Sequence, residues 1–270
     1  DFSMPLPATR LHVDVKPAAK GRTYSRTVFV TGDAALTMAA LADRLRGRMA
    51  VEPGFAADFQ VMKQRAVAAF TEGLGPYAEF PRLLREALPR DALWVRDITI
   101  SNSSWGNRIF PVYGPRDAVH PVSAAIGPGL PMGIGAAMAA GGRKTIAMVG
   151  DGGFALNQTE LWTAVQERAE LVVMIMNDRG YGVIKHIQGA LQDGRFFYGD
   201  LVSSDFQKLA AVAGLPSWRV GSAAELGPTV AKAVATSGPS LIEVDMTAIG
   251  AFPPYAPFNR MGIWAKQAAE

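Results

Sequence analysis

The chain has 270 residues, of which 49% are apolar, and this composition excludes a disordered or low-complexity protein. It contains no cysteine, which excludes disulfide scaffolds, thiolate nucleophiles and cysteine-bound metals. The 27 lysines and arginines nearly balance the 24 acidic residues and are scattered along the chain, so neither a nucleic-acid partner nor a strongly charged surface is expected.

Short β-like runs alternate with helix-patterned segments, which is typical of a parallel α/β fold. The predicted strands are residues 11–15, 27–30, 93–95, 145–149, 171–176, 217–220 and 241–244. The predicted helices are residues 34–48, 57–70, 78–88, 132–140, 158–169, 204–213 and 223–236. Asp33 and Ser204 are the predicted N-caps. The longest apolar run, residues 171–176, is far too short to span a membrane, and no leader sequence is visible, so a soluble cytoplasmic protein is expected.

The segment MAVEPG at residues 49–54 separates two unequal pieces of the chain. Only two strands and one helix precede it, too few for a stable doubly wound domain. We therefore interpret residues 1–48 as the carboxyl-terminal remnant of an α/β domain and residues 49–56 as a linker. Residues 57–250 are predicted to form a doubly wound α/β domain with a parallel six-stranded sheet, followed by a proline- and aromatic-rich arm at 251–270.

Two acidic residues follow predicted strands at the point where each strand ends. Asp151 and Asp178 are 27 positions apart, about one strand–helix–strand unit, which places both at the carboxyl ends of neighbouring parallel strands. A helix predicted to start near Leu156 would aim N–H groups into the same crevice. Two carboxylates would repel an anion bound at that helix end unless a cation lay between them. Mg²⁺ is the expected cation, because it prefers oxygen ligands.

Glycines surround this pair of carboxylates. Gly152 and Gly153 would let a phosphate approach the backbone, and Gly180 could turn its carbonyl toward the metal. In the alternative interpretation, Asp151 and Asp178 are an ordinary turn residue and a helix cap. Another alternative is a dinucleotide site on residues 126–135, IGPGLPMGIG, although no clear strand leads into that segment.

These residues resemble a known family. GDGGFALNQTELWTAVQERAELVVMIMND, residues 150–178, resembles the thiamine diphosphate motif, which opens with GDG and closes with Asn-Asn or Asn-Asp. Residues 10–34 are similar to the end of the family's central domain, and residues 126–139 to the glycine-rich stretch before the motif. The family is that of acetolactate synthase, benzoylformate decarboxylase and related 2-oxoacid enzymes, and the chain resembles roughly its carboxyl-terminal half.

The resemblance implies a set of cofactor contacts. Asp151 and Asp178 would bind Mg²⁺ through their side chains and Gly180 through its carbonyl. The residues implied to line thiamine diphosphate are Thr99, Ala124, Ile126, Gly150, Gly152, Gly153, Tyr181 and Gly182. The family commonly has serine at position 153, so one hydroxyl contact is missing here.

Two residues are implied to act in catalysis. Ile126 occupies the position of the bulky apolar wedge that bends the cofactor, and the Ala124 carbonyl would accept from the aminopyrimidine amine. His120 could face the substrate as an acid–base group. Composition alone supports other interpretations equally well or better, with Ile126 as a core residue and His120 as a surface histidine.

The implied activity is decarboxylation of a 2-oxoacid with carboligation, as in acetolactate synthase, with thiamine diphosphate as the electron sink. A simple decarboxylase of the benzoylformate type is the alternative, and a non-catalytic nucleotide-binding regulatory module is an alternative of another class. The resemblance also implies a homo-oligomer and an activating glutamate on an amino-terminal domain, so this chain alone is expected to be inactive. FAD, which some relatives bind, is not assignable from these residues.

Overall fold

The computed structural model describes residues 7, 9–22 and 27–254. It divides into two compact units, Asp1–Met62 and Lys63–Glu270. Most of the predicted carboxyl-terminal arm, residues 255–270, lies outside the described residues. None of the helices in the described ranges is long and apolar enough to cross a membrane.

The first unit contains a two-stranded parallel sheet. Strands β1 (Leu11–Asp14) and β2 (Val28–Thr31) pair in register, and helix α1 (Ala34–Leu45) follows them. Asp33 accepts a hydrogen bond from the backbone N–H of Leu36, which confirms its prediction as an N-cap. Helix α2 (Phe55–Glu72) begins inside the predicted linker and contains the boundary between the two units.

The second unit contains a larger sheet. Its elements after α2 are α3 (Phe80–Ala87), β3 (Leu93–Arg96), β4 (Ala118–Val119), α4 (Gly129–Ala139), β5 (Thr145–Gly150), α5 (Asp151–Asn157), α6 (Glu160–Gln166), β6 (Leu171–Asn177), α7 (Gly182–Leu191), α8 (Phe206–Ala213), β7 (Ser217–Val220), α9 (Ala223–Ala235), β8 (Ser240–Asp245) and α10 (Met246–Ile249). The strand order is β4-β3-β5-β6-β8-β7, and every pair in it is parallel. The predicted α/β class with a six-stranded parallel sheet is confirmed.

Strand residues alternate between two apolar cores. Ile146 and Met148 of β5 join the core beneath α3 and α9, while Ala147 and Val149 join the core beneath α4, α6 and α8. Successive side chains of a strand point to opposite faces, so a strand covered on both faces must be apolar throughout. This requirement explains the uninterrupted apolar run of β6, whose residues are all buried.

Several predicted boundaries were wrong. The helix expected near Leu156 begins at Asp151, directly after β5, and the helix predicted at residues 158–169 is replaced by α5 and α6. Asp205, not Ser204, caps α8, accepting from the N–H of Lys208. Strand β4 and helix α7 were not predicted. The two residues of β4 form an edge strand, too short for any periodicity to reveal.

Candidate functional site

The carboxyl ends of β5 and β6 bring two carboxylates together. The register pairs Gly150 with Met176, so Asp151 and Asp178 emerge next to each other at one edge of the sheet. Asp151 is 2% exposed, and its Oδ2 accepts a hydrogen bond of 2.6 Å from the hydroxyl of Ser203. Its other oxygen, Oδ1, is buried and has no hydrogen-bond partner among the described residues. The site therefore holds an acidic pair with an unused oxygen.

The electrostatics of this pair are unfavourable without a counter-charge. Burial, together with the adjacent Asp151 carboxylate, raises the pKa of Asp178 to about 7, while the charge of Lys185 opposes the rise. Burial also raises the pKa of Asp151, and the Ser203 hydroxyl opposes that rise. Two adjacent carboxylates, one buried and one partly buried, cannot both ionise cheaply unless a cation lies between them.

Glycines leave space around the acidic pair. A Cβ on Gly152 would lie 2.6 Å from Cε1 of Tyr181 and 2.7 Å from Cδ1 of Leu201, and a Cβ on Gly182 would overlap the carboxylate of Asp178. Neither glycine has a positive φ, so it is close packing, not backbone conformation, that requires glycine at these two positions.

Most of the predicted cofactor residues line one narrow cleft above the sheet edge. The predicted residues that line it are Thr99, Ile126, Gly150, Gly152, Gly153, Asp178, Gly180, Tyr181 and Gly182. Thr99 is buried, with its methyl group directed toward Gly150 and its hydroxyl accepting from the N–H of Asn102. Helix α7 begins at this cleft, at Gly182, with no side-chain cap on its first N–H groups, an arrangement that favours a bound anion.

Three predicted site residues do not line the cleft: His120, Ala124 and the buried Asp151. The side chain of His120 is exposed, and so is Ala124; neither lines the cleft. Ala124 and the preceding Ser123 have positive φ values of 56° and 60°, so the chain makes a sharp turn just before Ile126.

A larger cavity of about 640 Å³ shares Asp178 and Gly182 with the cleft. Its walls include Tyr77, His186 and Phe252, none of which was predicted as a site residue. The ring of Phe252 stacks on that of Tyr77, with the two centroids 4.9 Å apart. Burial and the adjacent Lys185 lower the pKa of His186, which favours a neutral imidazole there.

The carboxylate of Asp97, a residue missed in the sequence, supports the glycine-rich segment beside the cleft. It is fully buried after β3 and accepts from the N–H groups of Gly127 and Gly129. A dinucleotide phosphate would need the same N–H groups, so this contact argues against the dinucleotide alternative. Asp97 follows a strand end, as Asp151 and Asp178 do, and the same rule would have found it.

A comparison with protein families identifies the domain. Residues 99–244, more than half of the chain, match the family model of the thiamine pyrophosphate enzyme, C-terminal TPP binding domain. The chain belongs to the thiamine pyrophosphate enzyme family. The matched residues run from Thr99 to Val244 and so contain both carboxylates and every predicted residue that lines the cleft.

Curated relatives of this family member have different activities. It is 29% identical over 245 residues to a catabolic acetolactate synthase of Raoultella terrigena, a match that covers 88% of this chain and 43% of that protein. It is 28% identical over 241 residues to a benzoylformate decarboxylase of Pseudomonas aeruginosa, covering 89% of this chain and 44% of that protein. The chain therefore spans less than half the length of these relatives.

A solved structure supports the fold assignment. The thiamine diphosphate-dependent 4-hydroxybenzoylformate decarboxylase of Rhodococcus jostii RHA1 superposes with a TM-score of 0.69 and 24% sequence identity. The superposition covers 87% of this chain and 43% of that one. At 24% sequence identity, this similarity shows that the two proteins share a fold.

The residues of the cleft fit a divalent cation and a diphosphate. Asp151 Oδ1 lacks a partner, both carboxylates have raised pKa values, and the donors are all oxygens, which suits Mg²⁺. The described residues contain no group of three or more His, Cys, Asp or Glu side chains suited to a metal. Further ligands must then come from backbone carbonyls, water or phosphate.

Proposed function

We propose that this protein acts in a thiamine diphosphate- and Mg²⁺-dependent decarboxylation of a 2-oxoacid with carboligation, as an acetolactate synthase does. The observation that carries the proposal is the pair formed by the buried Asp151 and the partly buried Asp178, the latter in a cleft lined by Gly152, Gly153 and Gly182. When bound, thiamine diphosphate supplies the nucleophilic carbon and the electron sink for loss of CO₂. The similarity to the Raoultella terrigena synthase supports the carboligase assignment.

In this proposal the protein's own residues bind and orient the cofactor. Asp151 and Asp178 hold Mg²⁺ through their carboxylates, and Gly180 through its carbonyl. Thr99, Gly150, Gly152, Gly153, Tyr181 and Gly182 surround the diphosphate. Ile126 supports the cofactor from below as an apolar wedge, and Ala124 offers its carbonyl to the aminopyrimidine amine. No step is assigned to His120, whose side chain is exposed.

A second candidate is simple decarboxylation of an aromatic 2-oxoacid. The benzoylformate decarboxylase of Pseudomonas aeruginosa is nearly as similar as the synthase, at 28% identity over 241 residues. The two activities differ in how the carbanion is trapped, and the contacts of the Mg²⁺ site are common to both. We further propose a homo-oligomer as the functional form.

The test is product analysis of the full-length gene product after incubation with pyruvate, thiamine diphosphate and Mg²⁺, with the Asp151→Ala variant as control. Acetolactate that disappears in the variant would support both the carboligase and the metal site. CO₂ release from benzoylformate without a carboligation product would favour the second candidate. Absence of saturable, Mg²⁺-dependent cofactor binding by the intact protein would overturn the proposal in favour of a non-catalytic module.

A further inference from the structure

The peptide groups around Gly127 are held from both sides. Its N–H donates to the two carboxylate oxygens of Asp97, at 3.1 and 3.0 Å, and its carbonyl accepts from Nδ2 of Asn157 at 2.9 Å. Gly127 has a φ of 107°, which other residues rarely adopt. A glycine alone would leave this segment mobile, so the two side chains supply the rigidity that its own backbone lacks.

Of the two side chains that hold Gly127, Asp97 has the more fixed position. Besides Gly127, its carboxylate accepts from the N–H of Ile98 at 2.6 Å and of Gly129 at 3.1 Å. The residue is 0% exposed, and each oxygen receives two backbone donors. A buried carboxylate bonded in this way has a fixed position, since each lost bond would leave a buried polar group without a partner.

Asn157 connects the arrangement to the acidic pair. It is the last residue of α5, and Asp151 is the first residue of the same helix. One short helix therefore carries a carboxylate of the candidate metal site at one end and the amide that holds Gly127 at the other. The length of the helix therefore sets the distance between Gly127 and that carboxylate.

Ile126 is the residue whose position this arrangement determines. It directly precedes Gly127, lines the cleft, and its Cγ2 lies 3.4 Å from the place that a Cβ on Gly153 would occupy. The preceding turn at Ser123 and Ala124 is exposed and gives Ile126 little support from that side. Its orientation toward α5 thus depends on the bonds made by Gly127.

We propose that Asp97 and Asn157 are positioning residues that fix Ile126 at a set distance from the diphosphate end of the cleft. The inference rests on the proposed function, in which Ile126 supports the cofactor. The two residues act on the part of the cofactor beyond the diphosphate and leave the contacts of the diphosphate itself in place.

The test compares Asp97→Asn and Asn157→Asp with wild-type protein, using two ligands with Mg²⁺. Inorganic pyrophosphate probes the diphosphate contacts, and thiamine diphosphate probes the whole cleft. In both variants we expect thiamine diphosphate to bind about tenfold more weakly, and pyrophosphate affinity to stay within about twofold. Hydrogen exchange of the Gly127 and Gly129 amides in ligand-free protein should accelerate about tenfold in Asp97→Asn.

Asp117→Asn is the matched control, because Asp117 is a partly buried carboxylate that pairs with Arg143 away from the cleft. It should leave all three measurements unchanged. Equal weakening of both ligands in Asp97→Asn and Asn157→Asp, or unchanged amide exchange in Asp97→Asn, would overturn the positioning role. Wild-type protein that binds pyrophosphate but not thiamine diphosphate would instead overturn the proposed function.

Discussion

The carboxylate of Asp178 fills the space beside Gly182 that a side chain would need. We predict that Gly182→Ala displaces this carboxylate and weakens Mg²⁺-dependent binding of thiamine diphosphate by about tenfold or more, because metal ligands tolerate little misplacement. Calorimetric titration of the variant with the cofactor at saturating Mg²⁺ would measure the effect.

Gly135→Ala is the control for that experiment. Gly135 lies in α4, has no positive φ, and a Cβ there meets nothing within 4 Å. The variant should bind the cofactor normally and gain up to about 1 kcal/mol in free energy of unfolding. Normal cofactor binding by Gly182→Ala would show that Asp178 can move without loss of the site.

The contribution of Asp178 to the stability of the metal-free protein should fall as the pH rises from about 4 to about 7. Burial and Asp151 raise the pKa of Asp178 to about 7, so the folded protein binds more protons in this range than the unfolded chain does. The contribution of Asp178 is therefore fully present at low pH and is lost as the pH rises through about 7. Urea unfolding at a series of pH values in EDTA would measure this slope.

Asp178→Asn removes the titrating group and should flatten that slope, whereas Asp117→Asn should preserve it. Mg²⁺ should stabilise wild-type protein more at pH 8 than at pH 5, because the cation must displace the proton from the acidic pair. An equal slope in wild-type protein and in Asp178→Asn would contradict the assignment of a raised pKa to Asp178.

Ser203 is expected to support metal binding through Asp151. Its hydroxyl donates to Asp151 Oδ2 and opposes the rise in the pKa of that carboxyl. Ser203→Ala should weaken Mg²⁺ binding about threefold to tenfold at pH 6 and less at pH 8, because the hydroxyl favours the ionised carboxylate and this help matters less as the pH rises. Ser204→Ala, which removes an exposed bond to Gln158, is the neighbouring control. Equal losses at the two pH values would mean that the Ser203 hydroxyl acts only on local structure.

Lys144 and Glu170 stabilise the second unit away from the cleft. The buried Lys144 ammonium bonds to Glu170 at 2.5 Å and to the Thr236 carbonyl at 2.7 Å. Glu170→Ala leaves this ammonium without its carboxylate and should lower the free energy of unfolding by about 1–3 kcal/mol. Urea unfolding would detect the loss, and cofactor affinity should not change.

The exposed carboxylate of Glu79, which pairs with Arg82, is the control for Glu170. Glu79→Ala should cost no more than about 0.5 kcal/mol, as is usual for exposed pairs. A similar cost for the two variants would show that burial adds nothing to the Lys144–Glu170 pair.

The sequence predicted the sheet well where burial on both faces imposes a continuous apolar run. Strands β5 and β6 end within one residue of their predicted ends for this reason. The start of α5 was missed, because Gly152 and Gly153 are poor helix formers and were interpreted as a loop. Their burial shows that tertiary packing overrides that local preference here.

The candidate site, like the sheet, was predicted in part from the sequence. Strand-end position and adjacent glycines were enough to identify Asp151 and Asp178, and the structure places these two next to each other. Ser203 and Asn157 could not be found in this way, because their contacts join segments with no shared pattern in the sequence. Long-range pairings of single polar side chains leave no periodic signal.

The register of β6 limits how the chain can change length during evolution. Asn177 donates to Glu243 on β8, whereas Asp178, the next residue, meets Asp151. One residue inserted into β6 would move Asn177 into the position of Asp178 and Met176 into the position of Asn177, placing an amide in the cleft and an apolar side chain against Glu243. The length of the strand is therefore fixed by the chemistry at its end.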